Sequence, residues 1–410
     1  MQRQLFAASR VFVCVLMATT ALAAGDRAAE PAVRYLPLDA PEGASQAVIV
    51  ENAPLVFTRQ IFPTTQEGVV QGPVEKQSEQ LIENLQRVLG AAGSGLDKLV
   101  RVHVYALSHE AAASVGEQLK KRLPAAVRPA VTVVLTPLPL RKALVAIDAI
   151  AVRPAAGEPN VLPILGDDFA TRGATDRPSF DAAILPPDGA VYLSGVPERG
   201  TLTEGGVERS LATLQATLRD LNLEFADVVQ MKVFLTPASS AAEVRKEIQK
   251  FFPGRYLPPI VYVEWIASAP VEIELVARLP KKKLADGLLH YTPQGMRPTS
   301  AFSRVAIVHQ PRQVFISGLS SRTTGDGEAQ SRDVFEQLQK ILAATGSDFR
   351  HLAKATYYVS DDDASTGLNA VRGEFLDPDC PPAASKVTVH GVGRPGRTLT
   401  LDMIAVGAEK

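Results

Sequence analysis

The stretch VVQMKVFLTPASSAAEVRKEIQKFFPGRYLPPIVYVEWIASAPVEIELVARLP, residues 228–280, determines the predicted fold. It predicts an apolar strand at residues 228–235 and a polar break at 237–240. A helix follows and is closed by residues 251–254, and two more strands are predicted at 260–265 and 271–279. Val244, Ile248 and Phe251 lie three or four positions apart, as on the apolar face of a helix, and the flanking segments are rich in Val and Ile. The stretch therefore predicts a βαββ unit.

The same unit occurs three times in the chain. Its first strand is repeated at residues 99–108, 228–237 and 352–361, and its closing strand at 145–152, 271–279 and 399–407. Each copy also opens with two short strands and a long helix that carries one apolar stripe. The period of roughly 125 residues is the length of a whole domain. The sequence thus predicts three homologous α+β domains in tandem.

The N-terminal segment, residues 1–24, has the pattern of an export signal. Arg3 and Arg10 give it a positive start, residues 11–23 are an apolar run, and Ala21-Leu22-Ala23 is a small-x-small cleavage pattern. Because the run is short for a bilayer span, we expect a cleaved signal and a periplasmic or secreted protein, with no membrane attachment afterwards. The alternative is an uncleaved anchor.

The remaining chain divides into domains and linkers. The predicted domains are residues 35–153, 179–280 and 301–408, separated by linkers at 154–178 and 281–300. The second linker contains the basic run at residues 281–283, for which a solvated linker is favoured over a phosphate site. The domains leave little room for a further module.

Composition argues against several functional classes. The formal net charge is −1, which argues against a dedicated nucleic-acid binder because such proteins normally present a basic face. After signal cleavage Cys380 is the single remaining cysteine, so no intramolecular disulfide is expected; a buried, inert thiol is favoured over one near a cleft. The six histidines lack ligand spacing, and no glycine-rich phosphate loop follows a strand. We expect neither a metal nor a cofactor.

Several short motifs carry a resemblance to a known family. They are Tyr192-Leu193-Ser194-Gly195, Phe315-Ile316-Ser317-Gly318, Glu83-Asn84-Leu85 and Phe251-Phe252-Pro253, in an order that recurs in each copy. In this ordered set the chain resembles the reactive intermediate deaminase (Rid, YjgF-like) family, also labelled endoribonuclease L-PSP. The resemblance covers nearly all of residues 47–408.

The resemblance implies both a fold and an assembly. Its members have a chorismate-mutase-like fold, a mixed sheet with two helices on one face, and form homotrimers with small-molecule clefts between subunits. Three fused copies then imply an intramolecular pseudo-trimer. A sheet covered on one face needs cover on the other, which two sister domains can supply, so we expect a monomeric chain.

The family's chemistry is hydrolysis of enamines and imines to a carbonyl compound and ammonia. Its arginine, in a Pro-x-Arg-Ser/Thr pattern before the penultimate strand, binds the substrate carboxylate with a planar fork. We match Arg128 to this position, and Ile260 and Ala384 in the other copies, so two of three arginines are absent. The structural alternative for Arg128 is a surface or interface arginine, and the neighbour that faces it is not defined by the sequence.

Other family positions are also unevenly filled. Glu272 matches the family's glutamate in the second copy alone, where Ala146 and Thr400 stand in the others; a cleft carboxylate and a salt-bridge partner are both open. The family's second-strand hydroxyl matches Thr58, Ser194 and Ser317 in the three copies. Its N-terminal tyrosine matches Phe302 in the third copy, and its second-helix asparagine matches Asn369; both are predicted to bind substrate. The serines are equally explained as small residues required by a Ser-Gly turn.

Three functional hypotheses follow from these residues. The first is an exported protein that binds a small carboxylate-bearing metabolite in degenerate interdomain clefts, with one residual site around Arg128. The second is an active deaminase that releases ammonia from 2-imino acids, in which Arg128 and Glu272 are catalytic. The third, an endoribonuclease, is disfavoured by the missing basic face and acid/base pair.

Overall fold

The computed structural model describes residues 33–154, 157–165, 177–198, 202, 205–279 and 287–408. The predicted export signal, residues 1–24, lies outside these residues, and its cleavage stays a prediction. Within the described ranges, no helix has the length and apolar character needed to span a membrane.

The three predicted copies are present, each with a mixed sheet and two helices. The first contains β1 Val33–Leu36, β2 Ala47–Glu51, β3 Leu55–Thr58, β4 Thr64–Thr65, β5 Gly68–Val69, α1 Val74–Ala91, β6 Leu99–Ala106, α2 His109–Arg122, β7 Ala130–Leu135 and β8 Val145–Val152. The second contains β9 Asn160–Val161, β10 Ala182–Leu185, β11 Ala190–Glu198, α3 Gly206–Asp220, β12 Val228–Leu235, α4 Ala241–Phe251, β13 Ile260–Glu264 and β14 Val271–Ala277. The third contains β15 Gly287–Tyr291, β16 Val305–His309, β17 Arg312–Ser320, α5 Gly327–Ala344, β18 Leu352–Val359, α6 Asp362–Phe375, β19 Ala383–Thr388, β20 Gly391–Val392 and β21 Leu399–Val406. Strands β9 and β15 lie within the predicted linkers.

The N-terminus of the second helix in each copy depends on whether the residue at the end of the preceding strand segment can cap it. Ser108 and Asp361 accept hydrogen bonds from backbone N–H groups three residues later, at Ala111 and Ala364, and so cap α2 and α6. Pro237 stands at the equivalent position of the second copy, where a short 3-10 turn precedes α4 instead. The same strand–helix connection is therefore built with different local chemistry.

The opening strands of each copy belong to two different sheets. Strand β2 pairs antiparallel with β17, β10 with β3, and β16 with β11. The resulting orders are β20-β7-β6-β8-β3-β10-β9, β13-β12-β14-β11-β16-β15 and β1-β2-β17-β21-β18-β19. These strand pairings link the three copies in a closed circle, because each copy supplies an opening strand to the main sheet of another copy.

The core is divided between helix-covered and helix-free faces. Each helix pair packs on its own sheet through a separate apolar cluster. On the other faces, side chains from all three sheets meet in one cluster that includes Phe57, Tyr192 and Phe315. Apolar side chains on the helix-free faces of the three sheets are therefore buried against one another.

Helices α5 and α6 approach so closely that two glycines are required. A Cβ atom on Gly367 would lie 2.2 Å from the backbone nitrogen of Glu328, and one on Gly327 would lie 2.2 Å from the carbonyl oxygen of Asp363. Gly367→Ala must therefore separate the two helices, and we expect the free energy of unfolding to fall by about 2 to 3 kcal/mol in urea denaturation.

Gly373→Ala is the matched control on the same helix. A Cβ atom there would have no neighbour within 4 Å, so alanine should stabilise the helix by up to ~1 kcal/mol. Equal effects of the two substitutions would contradict the close packing of α5 on α6.

Candidate functional site

A cleft of about 420 Å³ lies between the first and third copies. Its first wall is built from β7 and α2, and its second from β17, the start of β21 and the loop after β20. Its lining includes Ala44, His109, Gly116, Leu119, Lys120, Pro129, Val131, Val133, Gly318, Ser320, Gly393, Arg394 and Thr400. We call this site the first–third cleft. Its volume and largely apolar wall are those of a small-molecule pocket.

Two small residues keep the first–third cleft open. Gly116 on α2 has no atom within 4 Å of the place its Cβ would take, and Val133 is the facing residue on β7. In the second copy the equivalent positions hold Arg245 and Tyr262, both buried. The Arg245 guanidinium donates to the Ser179 hydroxyl at 3.0 Å, so that space is filled by side chains.

The third copy fills the equivalent space in another way. Lys386 lies on β19 where Val133 lies on β7, and its ammonium donates to the Ser365 hydroxyl at 2.8 Å and to the Asn369 amide oxygen at 3.3 Å. Asn369, a predicted substrate-binding residue, therefore already has a partner within its own copy.

The polar groups of the first–third cleft include an arginine that the sequence did not single out. The guanidinium of Arg394 lines the cleft from the third copy, and the described residues give it no hydrogen bond or ion pair. On the opposite wall His109 has a buried Nδ1 without a hydrogen-bond partner in the described part of the chain. Glu42 and Lys120 pair with each other at 2.7 Å at the rim. Arg394 is thus a cation available to an anionic ligand.

Strand register changes the assignment of Arg128. The fourth residues of β6, β12 and β18 pair in parallel with Val131, Ile260 and Ala384. Val131, three residues after Arg128, is therefore the equivalent of Ile260 and Ala384, and the match of Arg128 to them is wrong. Arg128 is exposed and is not among the residues that line the cleft. The sequence match set Ala126 against Pro258 and Pro382, whereas strand register makes Pro129 their equivalent.

The three predicted cleft hydroxyls have different environments. The Thr58 hydroxyl accepts from the Ala149 backbone N–H at 2.9 Å, and the Ser194 hydroxyl donates to the Ser303 carbonyl at 2.5 Å. Both are committed to backbone groups. Ser317 lines a recess of about 30 Å³ that shares Arg394 with the first–third cleft, and its buried hydroxyl has no partner within the described ranges. Ser317 therefore faces the first copy and is the hydroxyl free to reach a ligand.

Glu272 and Phe302 lie away from the first–third cleft. Phe302 packs beside the third core under the guanidinium of Arg304, 4.9 Å from the ring centre. Glu272 is buried beside Gly195 and Ser385, where the second and third copies meet. The two predicted catalytic residues, Arg128 and Glu272, therefore do not lie in one site.

Burial raises the pKa of Glu272 to about 7, and Glu274 adds to the rise, while the Ser385 hydroxyl and Lys354 oppose it. A raised carboxyl pKa favours folding below the unfolded value near 4.5, and this contribution is lost as pH rises through about 7. We expect Glu272→Gln to increase the free energy of unfolding by about 3 kcal/mol at pH 8.5 and by little at pH 5, measured in urea. Glu243→Gln, on the exposed first turn of α4, should change neither value; a pH-independent effect of Glu272→Gln would contradict the shifted pKa.

A buried polar network lies where the three sheets meet. The imidazole of His103 lies 2.9 Å from Asp148 and 2.7 Å from Asp402, and Tyr105 donates to Asp148 at 2.6 Å. The Thr132 hydroxyl donates to the other oxygen of Asp402. Burial alone lowers the pKa of His103, but the two carboxylates raise it more, so the net shift is upward. Asp148 and Asp402, the fourth residues of β8 and β21, therefore hold this network together through His103.

In the described part of the chain, no group of three or more His, Cys, Asp or Glu side chains is arranged so that it could hold a metal ion. Cys380 is a half-buried free thiol whose pKa is raised by burial and by Asp377.

Comparison with known proteins agrees with the three-copy architecture. A profile described as Endoribonuclease L-PSP matches residues 38–153, 176–279 and 292–406. The chain belongs to the Endoribonuclease L-PSP family. The predicted Rid and YjgF resemblance is therefore confirmed, and each family unit corresponds to one copy.

Relatives of single-copy length match one part of the chain. Protein DfrA of Myxococcus xanthus is 29% identical over 30% of this chain and 98% of its own length. Protein mmf2, mitochondrial, of Schizosaccharomyces pombe is 32% identical over 22% of this chain and 72% of its own length. Among solved structures, RidA of the Antarctic bacterium Psychrobacter sp. PAMC 21119 is 25% identical over 28% of this chain and 93% of its own, with a TM-score of 0.23. A YjgF family member from Neisseria meningitidis is 22% identical over 30% and 97%, with a TM-score of 0.24.

Proposed function

We propose that this family member binds a small carboxylate-bearing metabolite in the first–third cleft. The observation that carries the proposal is Arg394, a guanidinium without a protein partner among the described residues that lines an open pocket. A planar guanidinium matches a carboxylate with two parallel hydrogen bonds. The apolar wall of Leu119, Val131 and Val133 suits the short aliphatic part of such a ligand.

The proposal includes loss of the family's own carboxylate site. The resemblance places the family's arginine at Ile260 in the second copy and at Ala384 in the third, and strand register gives the first copy Val131 at the same position. Thr400 stands at the glutamate position in the first–third cleft, and Glu272 lies beside Gly195 and Ser385. Arg394 approaches from the opposite wall, so the ligand would lie in a different orientation from a family substrate.

Imine deamination is the alternative function. His109 favours it, because an imidazole with a buried, unpartnered nitrogen could hold or transfer a proton beside a ligand bound to Arg394. The absent glutamate and strand arginine favour binding. Ribonuclease activity has no support from a basic face, since the formal net charge is −1.

We also propose that the chain functions as an exported monomer. Residues 1–24 have the sequence pattern of a signal, and the exchange of opening strands between copies of one chain supports a monomer in which the copies take the part of the family's three subunits. Light scattering and N-terminal sequencing of the exported protein test both points.

The binding proposal is tested by calorimetric titration with 2-oxobutyrate, a stable carbonyl analogue of a 2-imino acid. We expect Arg394→Ala to lose about 2 kcal/mol of binding, or roughly thirtyfold in Kd. Arg128→Ala is the matched control, because Arg128 is exposed outside the cleft and its removal should leave Kd nearly unchanged. A larger effect at Arg128 would return the site to the position expected from sequence.

Gly116→Leu provides a second arm that leaves all charges in place. Leucine at this helical position would extend into the first–third cleft, so binding should fall while helix propensity rises. Lost affinity in a protein at least as stable as wild type separates blocked binding from unfolding. Unchanged affinity would place the ligand elsewhere.

A further inference from the structure

A second, interior cavity lies outside the first–third cleft. Its volume is about 40 Å³, and it lies where strands of all three sheets meet. Its charged lining comes from equivalent strand positions. Arg101 and Lys354 are the third residues of β6 and β18, and His103 and Lys232 are the fifth residues of β6 and β12. Glu274 and Asp402 lie at one equivalent position of the closing strands β14 and β21. Side chains that lie far apart in sequence thus surround one buried space.

The carboxylates of this cavity already have partners. Glu274 accepts from the Lys354 ammonium at 2.5 Å and from the Ser385 hydroxyl at 2.7 Å. Asp402 contacts His103 at 2.7 Å and also accepts from Thr132. Each carboxylate is therefore held by a neighbouring donor. Charge interactions also join Arg101 to Asp402 and Lys232 to Asp148, although neither pair is within ion-pair distance.

Two cations in the same lining lack a carboxylate partner in the described ranges. Lys232 is 6% exposed, and the contact of its ammonium is the Tyr358 hydroxyl at 3.5 Å, which is long for a hydrogen bond. Arg101 is 4% exposed and donates through Nη2 to the carbonyls of Ile316 and Met403, while its Nε has no partner. The cavity thus has more buried positive groups than carboxylates to pair with them.

An unpaired buried cation is costly, by several kcal/mol in an apolar environment. Water can solvate it in part, but an anion compensates both charge and hydrogen-bonding capacity. A water molecule needs on the order of 10–15 Å³ of such space, so the cavity is large enough for a halide and too small for a metabolite with several carbons.

We propose that this interior cavity binds a small monovalent inorganic anion of the size of chloride, held by Lys232 and Arg101. The anion would link the first and second copies at the centre of the molecule. Because binding requires the folded arrangement of all three sheets, it would stabilise the whole chain rather than one copy.

Crystals of the full chain grown in sodium bromide test the location of the anion. We expect an anomalous scattering peak in the cavity within about 3.5 Å of the Lys232 ammonium nitrogen. Water density without an anomalous peak there, in crystals that show bromide elsewhere on the protein, would overturn the proposal.

Chloride-dependent stability tests whether the site is occupied in solution. At constant ionic strength, with gluconate as the excluded anion, each tenfold rise in chloride above the dissociation constant should multiply the folding equilibrium constant by up to ~10. Lys232→Met should abolish this dependence, whereas Lys246→Met on the exposed face of α4 should retain it. A bromide peak without chloride-dependent stability means binding at crystal concentration only and also overturns the proposal.

Discussion

His103→Leu is expected to lower the free energy of unfolding by about 3 to 5 kcal/mol, because it leaves two buried carboxylates without their shared partner. Asp148 and Asp402 are 1% and 3% exposed, so solvent cannot replace the imidazole. Urea denaturation at pH 6 measures the loss. The exposed pair of His351 and Asp348 has the same chemistry at 2.7 Å, and His351→Leu should cost less than ~1 kcal/mol.

The loss at His103 should depend on pH in two directions. Burial raises the pKa of Asp402, but His103 and its hydrogen bonds lower it more, so this contribution is present above about pH 4 and lost in acid. The raised pKa of His103 gives a contribution that is complete below its unfolded value near 6.5 and lost as pH rises through the folded value. The variant should therefore differ most from wild type between about pH 4 and 6.5.

A triple variant separates the network from general packing. His103→Leu combined with Asp148→Asn and Asp402→Asn removes the unpaired charges, and part of the lost stability should return. A triple variant less stable than His103→Leu alone would contradict the view that stranded carboxylates cause the loss.

Restoring the family's charged pair is expected to change activity. Val131 and Thr400 face the first–third cleft from opposite walls. Val131 has the strand position of Ile260 and Ala384, which the resemblance gives to arginine in the other two copies, and Thr400 has the position that it gives to glutamate. We expect wild type to release ammonia from freshly generated 2-imino acids at the rate of buffer. Val131→Arg with Thr400→Glu should exceed that rate at least roughly tenfold, equivalent to about 1.4 kcal/mol of transition-state stabilisation.

The control for this variant is Val131→Met with Thr400→Gln, which matches side-chain length without charge. If both double variants release ammonia at the rate of buffer, the missing charges do not explain inactivity. If wild type itself is fast, the deaminase alternative replaces the binding proposal.

The fold was largely accessible from the sequence because its signals are local and repeated. Strand β12 was predicted at its observed bounds, 228–235, from an apolar run ended by Pro237. The exchange of β2, β10 and β16 between sheets was not accessible, because strand pairing depends on contacts distant in sequence. Short connections such as Gln310-Pro311 resemble hairpin turns within one sheet, so they did not indicate that the two strands they join belong to different sheets.

The site was less accessible for a related reason. Arg128 was matched to the family's arginine together with Ile260 and Ala384, but the register of β7 against β6 makes Val131 the equivalent of those two residues. Arg394 lies in the glycine-rich segment GVGRPGR, which predicts a loop but does not indicate which part of the chain that loop contacts. Gly116 and Val133 open the cleft through small size, a feature that becomes meaningful only when the facing strand and helix are known.

The most direct measurement is a crystal structure of the full chain with 2-oxobutyrate. The binding proposal predicts ligand density in the first–third cleft, with the carboxylate within hydrogen-bond distance of the Arg394 guanidinium and the aliphatic end against Val131 and Val133. Ligand density at Arg128 or at Glu272, with the first–third cleft empty under saturating conditions, would contradict it.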